Sequence, residues 1–229
     1  MINEVIFVFH SILVGLFAIL SLRLGKDALI SLLCLQVILS NLFVSKQMII
    51  FGLCATCSDV FSIGAGLCLN LLQEYYGKAV AKRTIWISFF CLAFYLLMTQ
   101  IHLIYLPNQF DITQDLYQKL FGLMPRLAFA SLVSYLISQN LDNYLYGYFR
   151  SKFAKYFLLC NYGSLLISQM VDTACFTLLG LYGILENPLE IFLVSYAVKI
   201  VSIAICITVV GYCTKWINPT SLKLQRASK

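Results

Sequence analysis

The stretch LEIFLVSYAVKIVSIAICITVVGYCT, residues 189–214, is apolar over more than the ~20 residues a helix needs to cross a bilayer. Its charges are Glu190 at one end and Lys199 in the middle. The rest of the chain supplies no compensating water-facing surface. It has 229 residues, 61% apolar and 11% charged, with a mean hydropathy of +0.86, against about 25% charge in a soluble domain. A soluble globular domain, a secreted disulfide scaffold and a disordered chain are excluded. The net charge of +6 comes from basic residues in short clusters between apolar runs, which is the pattern of membrane topology and not of a nucleic-acid-binding face.

Outward from this segment, six further apolar stretches can be marked, at about 4–22, 28–45, 48–73, 84–106, 123–147 and 154–183. Each is expected to be helical, because lipid satisfies no backbone hydrogen-bonding group. The chain therefore reads as an all-α integral membrane protein, one multi-pass domain over 1–229. It forms a bundle of about seven transmembrane helices, with six as the alternative count for the core. Seven crossings place twelve basic residues on one side: Arg23, Lys26, Lys78, Lys82, Arg83, Arg150, Lys152, Lys155, Lys215, Lys223, Arg226 and Lys229. The other side has only Lys46 and Lys119. The positive-inside bias then puts the N-terminus outside and the C-terminus, with a basic tail over 217–229, in the cytoplasm. Asp111, Asp115, Glu186 and Glu190 fall on the outer side. The N-terminal run lacks a preceding basic region and a small-residue cleavage site, so it reads as a first span and not a signal peptide.

Segment 107–122 is expected to be an external loop or a short helix on the outer surface. Segment 48–77 would be about 45 Å long as a helix, longer than the ~30 Å hydrocarbon core, so it must protrude, tilt or break. Gly52, Gly64 and Gly66 are candidate break points, with close helix packing the alternative. Most of the nine cysteines lie inside apolar runs and read as small hydrophobes. Cys54 and Cys57 form a CxxC without a second pair or a nearby His, so no metal site and no cofactor is expected.

Asp59, Asp142, Asp172 and Lys199 lie within apolar spans, where an ionisable group is costly and by default functional. Around two of them a phrase is written twice: Ile137-Ser138-Gln139-Asn140-Leu141-Asp142 and Ile167-Ser168-Gln169-Met170-Val171-Asp172. Gln and Asp three apart share a helix face, so each phrase makes one polar patch. Because consecutive spans run antiparallel, the two patches can face each other with approximate two-fold character. A single copy would read as an interhelical hydrogen-bond clamp; two copies ending in carboxylates point to a ligand site. Asp59, Ser62, Gly66, Asn70, Gln73, Glu74 and Gly77 form a polar stripe on the third span. Lys199 requires a carboxylate partner, Asp172 or Asp142. Arg126 begins the fifth span as an interfacial anchor or a gate.

Carboxylates and carboxamides among Phe and Tyr suit a flat polar heterocycle, whose edge can take two parallel hydrogen bonds and whose face can stack on an aromatic ring. They equally suit cationic drugs or protons, so the residues alone define a small-molecule transporter. No H-E-x-x-H, G-x-S-x-G or comparable catalytic motif is present, so an enzyme is not expected.

Five ordered phrases carry a resemblance. These are Gln73-Glu74-Tyr75-Tyr76-Gly77-Lys78 with Ala81-Lys82-Arg83; Pro125-Arg126-Leu127-Ala128-Phe129-Ala130-Ser131; Ser134-Tyr135-Leu136-Ile137-Ser138-Gln139 ending at Asp142; Ser164-Leu165-Leu166-Ile167-Ser168-Gln169 with Asp172-Thr173; and Tyr196 with Lys199. Over about residues 40–200 the chain resembles the queuosine precursor transporter family, earlier described as vitamin uptake transporters. The resemblance implies a multi-pass importer in the bacterial inner membrane for 7-deazaguanine bases such as queuine and its 7-cyano and 7-aminomethyl precursors. It implies that Asp142 and Asp172 accept the purine-like edge and that Gln139 and Gln169 orient it. Asn41, Asp59 and Asn70 would complete the polar wall, and Lys199 would keep a carboxylate ionised. Asn70 departs from the family pattern, which has Asp there. The expected partners are a heterocyclic base, the lipid bilayer and, as an open alternative, a second copy of the chain, with no nucleic acid. The rival reading is a substrate-capturing membrane subunit of the energy-coupling-factor type.

Overall fold

The computed structural model describes residues 2–50, 52–121, 124–181 and 188–214. The first connection is a single glycine. Gly25, at φ +118°, separates α1 (Ile2–Leu24) from α2 (Lys26–Leu42), and Gly77, at φ +92°, does the same between α3 (Asp59–Tyr76) and α4 (Lys78–Ile104). Those left-handed conformations are open to glycine at little cost, which explains why the Tyr-Tyr-Gly-Lys phrase turns where it does. The bundle continues through α5 (Gln114–Phe121), α6 (Met124–Lys152), α7 (Phe157–Phe176) with a π-helical turn at Thr177–Leu181, and α8 (Pro188–Thr214). Among the described residues the fold is an all-α membrane bundle apart from one small hairpin.

That hairpin corrects the expectation for segment 48–73, which is not one helix. β1 (Gln47–Ile50) pairs antiparallel with β2 (Leu53–Thr56), Gln47 opposite Thr56, and turns at Gly52 with φ +77°. The chain breaks at Gly52, whereas Gly64 and Gly66 lie in the unbroken α3. The non-helical backbone is tolerated because the strands satisfy each other, and because the hairpin packs against α1 and α8. The Asn3 side-chain amide adds a bond to the Ile49 carbonyl (3.0 Å). Gly64 and Gly66 serve close packing instead. A Cβ on Gly66 would lie 2.5 Å from a Leu165 methyl, so α3 and α7 approach only because that side chain is missing.

Among the described residues, four helical segments are long and apolar enough to cross a membrane: Ile2–Leu24, Lys78–Ile104, Phe157–Gly180 and Ile191–Cys213. α2 is 17 residues long, and α3 and α6 are diluted by the polar residues that the bundle encloses. Trp86, Phe90, Phe94 and Leu97 recur along one face of α4 and are exposed, which suits a lipid solvent. Within 107–122 the chain forms α5, none of whose residues is buried. Glu186 and the basic tail over 217–229 lie outside the described residues. The described cysteines are free, and among the described residues no cluster of three or more His, Cys, Asp or Glu could hold a metal.

Candidate functional site

At the end of the bundle where α2 stops and α3 starts, a cavity of about 110 Å³ opens between α2, α3, α6, α7 and α8. The break before α3 positions its first residue, Asp59, at the wall instead of in a span. Asp59 is 3% exposed and accepts hydrogen bonds from the Ser195 hydroxyl at 3.2 and 3.4 Å. Ser195 lies one turn before Lys199 on α8, and Lys199 faces both acids. Its ammonium donates to Asp172 Oδ2 at 2.9 Å, and Ser138 donates to Asp172 Oδ1 at 3.1 Å. Two carboxylates and one ammonium leave the cavity with a formal charge of −1 when all three are ionised. Gln139 is buried on the same wall, and its amide oxygen has no hydrogen-bond partner among the described residues. Tyr135 and Phe176 supply aromatic surface. The Tyr135 hydroxyl is fixed by Ser88 at 2.5 Å, which ties α6 to α4.

Asn41, Asp59, Gln139, Asp172 and Lys199 are thus brought together on one cavity. Gln169, Asn70 and Asp142 do not line it. Gln169 accepts from Ser62 (3.0 Å) and joins α7 to α3. Asn70 donates to Ser164 (3.1 Å), and Asp142 lies buried among Asn70, Ser164 and Ser168. The doubled phrase is used reciprocally: Ser138 of the first copy serves Asp172 of the second, and Ser168 of the second faces Asp142 of the first. Antiparallel packing puts only one half of this pattern, Gln139 with Asp172, at the cavity. Arg126 is exposed and donates to the Leu179 carbonyl (2.9 Å), taking up an acceptor in the π-helical turn.

Ser195, Thr56, Ser58 and Tyr135 also line the cavity without having been singled out as site residues by the sequence. Only Ser195 had a readable signal, its four-residue spacing from Lys199 on one helix face. At the far end of the bundle, 15 residues and about 22 Å along α3 from Asp59, Glu74 is gripped by Arg150 Nε (2.7 Å) and Nη2 (2.5 Å), and by the Tyr146 hydroxyl (2.8 Å). That network ties α3 to α6 at the end of the bundle opposite the cavity.

A bundle of apolar helices that holds a polar cavity beside non-helical backbone is an arrangement that membrane transporters use. Comparison with known proteins gives the particular family. A family model described as "Putative vitamin uptake transporter" matches residues 56–214. The chain is 32% identical over 204 residues to a Bacillus subtilis (strain 168) protein named "Probable queuosine precursor transporter", covering 87% of this chain and 89% of that one. No solved structure matches the chain. The chain belongs to the vitamin uptake transporter family, the one its ordered motifs resemble.

Proposed function

We propose that this protein imports queuosine precursors, the 7-deazaguanine bases, across the inner membrane of a bacterium, with its N-terminus outside and its C-terminus in the cytoplasm. One observation carries the reading. A buried and a half-buried carboxylate, a carboxamide whose oxygen has no partner among the described residues, and two aromatic side chains converge on one cavity. In this role Asp59 or Asp172 accepts two parallel N–H bonds from the pyrimidine edge of the base. Gln139 serves the adjoining edge, and Tyr135 or Phe176 stacks on the ring. Asn41 completes the wall, and Lys199 pairs with Asp172 at 2.9 Å. At ~10–15 Å³ per water the cavity has room for several waters, the scale of one fused bicyclic ring.

The formal charge of −1 favours the 7-aminomethyl base, which carries an ammonium, over the neutral 7-cyano base. Access alternates as the Glu74–Arg150–Tyr146 network opens and the cavity end closes, one part of the bundle moving against the other. The name of the Bacillus subtilis relative supports the same substrate class. The test is reconstitution of the purified chain alone in liposomes with a labelled 7-deazaguanine. Accumulation or equilibration of the label supports an autonomous importer. Binding without translocation would overturn that reading in favour of a substrate-capturing subunit that needs a separate energising module.

A further inference from the structure

Two polar stripes run from the cavity to the opposite end of the bundle and face each other. On α3 the stripe passes from Asp59 through Asn70 and Gln73 to Glu74. On α6, Gln139, Asn143, Gly147 and Arg150 follow the three-and-four spacing of one helix face over about 16 Å. Three contacts show that the stripes meet along their length. A Cβ on Gly66 would lie 3.7 Å from Asp142 Oδ2, one on Gly147 would lie 2.8 Å from Gln73 Nε2, and Glu74 accepts from Arg150 and Tyr146. α7 closes the seam from the side. There Asn70 donates to Ser164 at 3.1 Å, and Asn161 lies nearly one turn closer to the far end.

The seam has more acceptors than it uses. Asn70, Gln73, Asn143 and Asn161 are each at least nine-tenths buried, and the side-chain oxygen of each has no hydrogen-bond partner among the described residues. Such acceptors are rare, because each has given up water without a replacement. Clamps between helices look different here: Ser62 with Gln169, and Ser88 with Tyr135, spend their polar atoms on each other. At the same end of the bundle α7 meets α8 through apolar packing, Leu158 against Gly211. We propose that the base leaves the cavity through the seam between α3 and α6, passing from Gln139 to Asn143 and Gln73 before it crosses the Glu74–Arg150–Tyr146 network. The route rests on the transport reading above. Carboxamide oxygens accept from the N–H groups that a deazaguanine presents. Passage requires successive sites that attract the base without holding it, which neutral acceptors provide. The charged groups Asp59, Asp172 and Lys199 stand at the cavity, where the base is first gripped.

The test compares Asn143→Leu and Gln73→Leu with the parent as purified full chains. Calorimetric affinity for a 7-deazaguanine in detergent should match the parent, and the unfolding midpoint should be unchanged or raised, since no partner of the lost oxygen is stranded. Uptake of the labelled base into liposomes should slow several-fold. Uptake at the parental rate in both variants overturns the route, and so does a parallel loss of stability, binding and uptake, the mark of a helix clamp. A second measurement needs no base. The thiol of Asn143→Cys should react with a water-soluble maleimide several-fold faster than the buried Cys68 and Cys206, read by peptide mass spectrometry, and faster still when Glu74→Gln is added. A thiol at position 143 as slow as those two overturns the route. A parent that binds no deazaguanine while position 143 is labelled would fail the substrate reading and leave a water-accessible seam standing. Base binding with parental uptake in both leucine variants would fail the seam and leave the substrate reading standing.

Discussion

The Lys199–Asp172 pair separates a grip on ligand from a clamp between helices. Lys199→Met removes an ammonium that is 4% exposed and leaves Asp172 with Ser138 alone at 3.1 Å. Breaking a fully buried pair costs about 3–5 kcal/mol. The Asp172 side chain is 20% exposed to the cavity, so water relieves part of that, and ~2–3 kcal/mol is expected. Adding Asp172→Asn removes the stranded charge and should restore unfolding stability to within about 1 kcal/mol of the parent. Base binding should not recover with it. A charge-assisted hydrogen bond is worth ~1.5–3 kcal/mol, so the double variant should bind the base about 10- to 150-fold more weakly. The two readouts are denaturation in detergent and calorimetric titration of the same preparations. A double variant that is stable and binds as tightly as the parent would refute the reasoning, because the pair would then serve only to hold α7 against α8.

Gln139→Leu should cost binding and leave unfolding stability unchanged or raised, since the lost amide oxygen has no partner to strand; titration and denaturation check it together. Asp59→Asn should erase the preference for the aminomethyl base over the cyano base, read as the ratio of the two dissociation constants. Gly66→Leu should prevent stable assembly by pushing α3 off α7, and Leu165→Ala should partly rescue it, because the blocking atom is a Leu165 methyl 2.5 Å from the new Cβ position; size-exclusion profiles of tagged protein report both. Glu74→Gln should lower stability by about 1 kcal/mol, the pair being partly solvated, and should loosen the bundle end opposite the cavity, seen as faster modification of a reporter cysteine there.

Much of this was legible in the residues because lipid leaves few options. Apolar runs must be helices, and an acid among them must have a reason. Asp59, Asp172 and Lys199 could be picked out as oddities of composition, and they meet in one cavity. The hairpin was not legible. Gln47–Thr56 is apolar enough to continue a span, and only its packing against α1 and α8 shows why it need not be helical. Helix spacing put Gln139 with Asp142 and Gln169 with Asp172, but it could not show that antiparallel packing crosses the two phrases. That crossing divides the residues between a cavity and a deeper buried cluster around Asp142. Glu74 sat at the end of the polar stripe, where solvation was the obvious reading. Its partner Arg150 lies 76 residues away, and no local pattern connects them.

The most direct measurement is a calorimetric titration of queuine and its 7-cyano and 7-aminomethyl precursors against the purified, folded chain, in parallel with the Gln139→Leu and Asp59→Asn variants. Saturable binding of at least one base, tightest for the aminomethyl compound and weakened in both variants, is the predicted result. Well-folded protein that binds none of the three, or binds them equally well in the variants, would contradict the claim that these buried polar side chains grip a planar base.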